Sequence, residues 1–279
     1  PNAAKLFDPG EASIAGRLWS VSPWILSGLV ILLPNIAAGV FNYIYNMNEI
    51  GLSPTMKETL HVVATYRVNP IAYAIGVVAM IWLTRSLARA VRDARQSQIV
   101  SSSDLHATME LGHWAAVIGG TIWAIVGVVY PTVLWWMHPD FTLWQTIHIF
   151  ISLLICGGVA MIYPFFGMAL ITTLVYYPRF ISSTMEDAAF DERADKMRER
   201  CELYLLCAAL IPLLGGALIS ENSSGVFILW AICSGVMGLL AAWFANKVLS
   251  KTWAQLGEVL SKNTPVVPGE GDSAGESVF

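Results

Sequence analysis

Three side chains of metal-ligating type stand on one helical stripe: His106, Glu110 and His113 fall at i, i+4 and i+7, with Asp104 beside them. Residues so spaced share a helix face, and imidazole with carboxylate is a zinc-type donor set. The spacing is permissive and a fourth ligand would have to come from elsewhere. Polar residues solvated at a helix start account for the triad equally well. A second group gathers Asn42, Asn46, Glu49, His61, Tyr66, Arg67 and Asn69. Asn42 and Asn46 are four apart in an otherwise apolar run, so they too share a face. The group reads either as a ligand pocket or as hydrogen bonds that tie helices together, and the second is the commoner use of such amides. His148 stands in another apolar run and has the chemistry of an axial haem ligand. Pro164 and Pro212 each remove a backbone donor from such a run, which suits a hinge or a static kink. No catalytic constellation accompanies these residues, so no catalytic residue is assigned and no enzyme activity is expected. No cofactor is assigned either.

The elements that must hold them are set by composition. Of the 279 residues 56% are hydrophobic and 13% charged, against about a quarter charged in soluble domains. Eleven Trp and nine Tyr suit a chain that places amphipathic rings at two water–lipid boundaries. A net charge of −4 without a Lys/Arg block excludes a nucleic-acid partner. The four Cys form no CxxC pair, so neither a zinc ribbon nor a disulfide framework is indicated. They read as small apolar residues that pack helices. No charged-then-apolar pattern of a signal peptide precedes the first apolar run.

Six apolar stretches, at 23–45, 70–88, 113–137, 143–177, 203–220 and 225–247, approach the length that crosses a bilayer as a helix. The fold class expected is all-α, a polytopic integral membrane six-helix bundle. It divides into a cytoplasmic linker at 1–22, the transmembrane domain at 23–250 and a largely disordered cytoplasmic tail at 251–279. Placing both termini inside puts Arg85, Arg89, Arg92, Arg95, Arg179 and the cations of 193–200 on the cytoplasmic side, and leaves only Lys57 and Arg67 outside. That asymmetry predicts an N-in/C-in topology. The second stretch spans only if Arg85 and Arg89 snorkel. The fourth is long and carries Pro164, so a kink, a tilt or an extension is expected rather than two spans. Ser53-Pro54 predicts the start of a short amphipathic helix over the outer face, on which Leu60, Val63, Ala64 and Arg67 recur at helical spacing. Another helix is expected to start after Ser102 or Ser103. The charged segment 180–202 reads as a solvated helix running into the fifth span. In this frame the asparagine group lies at the outer face. His113 and His148 lie on opposite sides of the membrane, which leaves His148 without the facing histidine that two-His haem ligation needs. A histidine hydrogen-bonded within the bundle is the better reading.

The order of motifs in these stretches is also familiar. Asn35-Ile-Ala-Ala-Gly39 and Phe41-Asn42-Tyr-Ile-Tyr-Asn46 are followed by Asn69-Pro70-Ile-Ala-Tyr73. Then come His148-Ile-Phe-Ile-Ser152 with Cys156-Gly157, Tyr163-Pro164-Phe165-Phe166, Tyr177-Pro178, and Tyr204 through Pro212 to Gly215. This succession, from about residue 10 to 250, resembles the six-helix membrane module that follows the catalytic domain in planctomycete-type bacterial receptor serine/threonine kinases and related signalling proteins. The kinase motifs themselves, a Gly-rich loop, strand Lys, catalytic-loop Asp and Asp-Phe-Gly, are absent. The resemblance implies a sensor or anchor module in a bacterial inner membrane. Its partners would be the lipid bilayer, a kinase or other signalling domain in cis or trans, and a second copy of the chain through small-residue faces at Gly119-Gly120, Gly235 and Gly238. A small-solute transporter or channel is the reading from a different class, although no acidic residue sits mid-span. A third is an accessory haem- or pigment-binding subunit using His148.

Overall fold

The computed structural model describes residues 14–181, 190–217 and 225–263, and among these the chain is helical with no strand. A short α1 (Ile14–Ser20) precedes α2 (Pro23–Asn48). Next, α3 (Pro54–Val63) passes through a π-helical turn, Ala64–Val68, into α4 (Asn69–Arg95). After α5 (Ser102–Met137), α6 (Leu143–Ile171) passes through a second π turn, Thr172–Tyr176, into α7 (Tyr177–Ile181). The last two helices are α8 (Phe190–Ala217) and α9 (Gly225–Asn263).

The starts follow from local chemistry. Ser53 accepts from the Met56 amide at 3.3 Å with Pro54 at the first helical position, Ser101 accepts from Asp104 at 3.2 Å, and Thr142 with Gln145 closes a full capping box. Each satisfies amides that the first turn leaves open. The cap of α5 is therefore Ser101, just before the serines expected, because only its hydroxyl reaches the N3 amide. The helix expected at Ser53-Pro54 begins there but does not lie apart from the second span. It continues through the π turn as one run from Pro54 to Arg95. Residues 14–20, expected as linker, and 251–263, expected as tail, are helical.

Among the described residues four helical runs are long and apolar enough to cross a membrane: Pro23–Asn48, Pro54–Arg95, Ser102–Met137 and Leu143–Phe180. The fourth is unbroken at Pro164, as the absence of a polar hairpin there predicted. The spans expected at 203–220 and 225–247 fall on α8 and α9, but 218–224 lies outside the described residues, as do 1–13, 182–189 and 264–279.

Helices α2, α4, α5 and α6 form a closed ring of neighbours: α6 packs on α5 and α2, and α4 packs on both α5 and α2. Helices α8 and α9 pack on each other and on α6. The bundle has a near end, carrying Pro23, Arg95 and Ser102, and a far end, carrying Asn48, Pro54, Met137 and Leu143. At the α5–α6 contact the glycines face backbone. A Cβ added to Gly112 would lie 2.9 Å from the Phe165 carbonyl, and one on Gly119 would lie 3.0 Å from that of Ala160. Gly238 faces the Tyr163 hydroxyl and Gly120 the Met161 sulfur, so these small residues are used between helices of one chain.

Charged side chains fasten the near end. Arg89 grips Asp104 with Nη2 2.6 Å from Oδ1 and Nε 3.2 Å from both oxygens, and Arg200 meets Glu110 at 2.6 Å. The ring of Trp19 of α1 meets two guanidinium groups, Arg95 at 5.4 Å and Arg179 at 4.9 Å from its centroid. Arg95 also donates to the Trp19 carbonyl. The packing predicts unequal glycine sensitivity. Gly112→Ala should lower stability by about 1–3 kcal/mol through overpacking against backbone. Gly76→Ala, with nothing within 4 Å of the new Cβ, should be neutral or stabilising by up to about 1 kcal/mol. Thermal unfolding of the two variants in detergent checks the difference, and equal effects would contradict the α5–α6 contact.

Candidate functional site: a polar seam between α2 and α6

Helix α6 is apolar over most of its length, yet His148, Ser152 and Cys156 recur at i, i+4 and i+8. That spacing puts them on one stripe, and the stripe faces α2. The Tyr45 hydroxyl and His148 Nδ1 are bonded at 3.0 Å. Asn42 Nδ2 donates to Ser152 Oγ at 2.9 Å, Ser152 Oγ donates to Asn46 Oδ1 at 3.1 Å, and Asn46 Nδ2 donates to Asn42 Oδ1 at 3.0 Å. The three bonds run head to tail and close a ring. The Ser152 proton is shared with the Ile149 carbonyl at 2.8 Å. One turn further, the Cys156 thiol donates to the Ala38 carbonyl at 3.3 Å. Tyr45, Asn42 and Ala38 thus pair with His148, Ser152 and Cys156 in antiparallel register, all six buried. In an environment without water, each donor that finds its acceptor avoids a large desolvation cost.

Beside the ring, towards α4 and α5, lies a small cavity of about 20 Å³, room for one water molecule. Asn42, Tyr43, Asn46, Ala64, Asn69, Trp123 and Tyr130 contribute to its wall. The Tyr130 hydroxyl donates to Asn69 Oδ1 at 2.7 Å, which leaves the Asn69 amide nitrogen for the cavity. Trp123 Nε1 donates to Asn35 Oδ1 at 3.0 Å below it. The π turn is what brings Asn69 here, and such turns recur at functional sites because they re-aim side chains.

The chain matches no family model, no curated protein and no solved structure.

The structure brings together only part of the asparagine group. Asn42, Asn46 and Asn69 share the cavity, and His61 stands at its margin, bonded to the Tyr43 hydroxyl at 2.8 Å. Tyr66 lies against the His61 ring from an exposed position. Arg67 is exposed on the π turn, and Glu49 caps the end of α2. The three residues of the expected metal triad share a stripe of α5 but meet different surroundings. His106 is exposed, Glu110 is held by Arg200, and the His113 ring is bonded to the Tyr204 hydroxyl at 3.2 Å. Among the described residues no group of three or more His, Cys, Asp or Glu side chains gathers to hold a metal ion. His148 is bonded to Tyr45 and its ring centroid lies 4.0 Å from that of Trp144. This is the arrangement of a bundle histidine. Pro164 is buried inside α6, and Pro212 falls within α8, where its side chain lies outside the described residues. Ser152, Tyr43, Tyr45, Trp123 and Tyr130 were not among the expected site residues. The i, i+4, i+8 stripe on α6 was the signal that could have found Ser152.

A larger, apolar cavity of about 410 Å³ lies between α2, α6, α8 and α9, walled by residues that include Pro34, Cys156, Tyr163 and Gly238. The seam therefore separates a polar compartment from an apolar one. Asn42→Ala should cost about 1–2 kcal/mol, since it leaves the Asn46 amide and Ser152 with one partner fewer. Ser152→Ala should cost a similar amount, and the double variant should cost less than the sum. Thermal unfolding of the four proteins completes the cycle, and strict additivity would break the ring into independent bonds.

Proposed function

We propose that the chain is a membrane-embedded sensor or anchor module of a bacterial signalling protein, six-helical and N-in/C-in, that relays an event at the far end or in the lipid to segments at the near end. One observation carries this reading. Helices α2 and α6 are bonded towards the far end by the Asn42–Ser152–Asn46 ring, and the segments that prolong them meet again at Trp19 at the near end. That residue lies immediately before α2 and packs under Arg179, which follows α6. A ring fixed near one end acts as a fulcrum for the long arms that run to the other. A shift of α2 against α6 beside the cavity is expressed at the near end as a change around Trp19. The cations support the direction, because Arg85, Arg89, Arg92, Arg95 and Arg179 gather at the near end while Lys57 and Arg67 stand alone at the far one.

The relay is tested with spin labels at Arg17→Cys and Gln98→Cys in a background without native thiols, measuring their separation with and without Asn42→Leu. A shifted or broadened distance distribution is expected, and an identical one would remove the fulcrum. In intact cells the Gln98→Cys thiol should stay unlabelled by an impermeant maleimide until the membrane is opened, and immediate labelling would reverse the topology.

The resemblance to receptor-kinase membrane modules supplies the signalling context. Intact mass with N-terminal peptide mapping of the protein in its native membrane checks that context. Kinase-domain peptides upstream of residue 1 are the expected result. A mass near 30.5 kDa would leave signalling only in trans.

A further inference from the structure

The near half of the bundle holds a set of hydroxyls that the seam does not explain. Ser27 and Thr84 are 0% exposed, Thr108 and Thr173 1%, and none of the four has a hydrogen-bond partner. The helix itself offers each of them a carbonyl one turn back. Thr121, Thr132, Thr172 and Thr252 all use it, donating to the residue four earlier at 2.7–2.9 Å. These four hydroxyls are turned elsewhere.

Interhelix register places them at one level. Gly28 packs against the Met80 sulfur, so Ser27 stands beside the turn of α4 that reaches Thr84. Arg89 holds Asp104, which sets Thr84 opposite Thr108, each one turn deeper than the ion pair. Gly112 packs against Phe165, Met168 and Ala169, which sets Thr108 beside the π turn that contains Thr173. Each of the four helical runs of the closed ring therefore contributes one buried hydroxyl to the same layer.

A buried hydroxyl without a partner costs about 1–3 kcal/mol, and four in one layer are too many for a dry core. We propose that Ser27, Thr84, Thr108 and Thr173 line an internal hydration site that holds ordered water at the centre of the near half. Water fits because it donates and accepts, as hydroxyls do, and typically makes about three bonds to polar groups otherwise left open. A bound cation fits less well. The carboxylates that flank Thr108 on α5, Asp104 and Glu110, are already paired with Arg89 and Arg200. The Tyr176 hydroxyl, also buried and without a partner, lies one turn beyond Thr173 and extends the polar path towards Trp19.

The sign of a stability change tests the site. Thr→Val swaps a hydroxyl for a methyl of the same shape, so at a dry, unbonded hydroxyl it raises stability, and at a water-bonded one it lowers it. Thr84→Val and Thr108→Val should each lower the Tm in detergent by about 2–4 °C. Their combination should fall short of the sum, because both act on shared water. Thr84→Ser, which keeps the hydroxyl, should restore most of the loss. Thr121→Val, at an exposed position on the lipid-facing side, should leave the Tm unchanged. An unchanged or raised Tm for Thr84→Val and Thr108→Val would mean a dry layer, and strictly additive losses would mean separate bonds. Either result overturns the proposal.

Discussion

Everything else in the bundle is hung on the approach of α5 to α6. At Gly112 the facing backbone carbonyl of α6 comes nearer than a Cβ would permit and at Gly119 it comes to the limit, so the two helices meet main chain to main chain. Dispersion then acts between many atoms at contact distance, which is how helices associate where no hydrophobic force is available. The result is one central helix. In its most apolar window α6 is 61% buried, against 22, 11 and 28% for the other three long runs. Neighbours on several sides leave α6 little room to move alone, and any polar atom it carries must find its partner on a neighbouring helix.

That requirement divides the bundle into two polar systems with different accounting. Towards the far end, the seam satisfies its donors within the protein, in bonds that also fix the register of α2 against α6. Towards the near end, ion pairs at the rim, Arg89 with Asp104 and Glu110 with Arg200, enclose a layer of hydroxyls that the protein itself leaves open. The first system is specific and stiff. The second sets few geometric demands, since hydroxyls rotate and water reorients.

The far-end and near-end systems were not equally legible in the sequence. Helix starts at Ser53-Pro54 and near Ser102 could be read because capping is local. Asn42 and Asn46 could be paired because they share one helix, and interhelical bonding was the favoured reading of their group. Arg67 could not be separated from that group, since its spacing from Leu60 and Ala64 presumes an unbroken α-helical repeat. His106, Glu110 and His113 sit on a common stripe as read, but what each side chain meets depends on α8 lying alongside, and periodicity says nothing of neighbours. The hydroxyl layer was invisible for the same reason. Ser27, Thr84, Thr108 and Thr173 come from four distant stretches, and only the register between helices sets them level.

The π turn at Ala64–Val68 has a consequence for the whole length of α4. A π turn is an α-helix with one residue too many, and one residue is about 100° of rotation. Met56 and Leu60 on α3 and Ala64 at the start of the π turn face inward. An uninterrupted α-helical repeat would continue that face through Arg67, Ile71, Ile75, Val78 and Trp82, all of them exposed. The extra residue shifts the phase, so the inward face instead continues through Asn69, Tyr73, Gly76, Met80 and Thr84. Losing any single residue from this turn would thus be a frame shift in three dimensions. The 27 residues of α4 would keep their order and their helix, and turn a different face to the bundle.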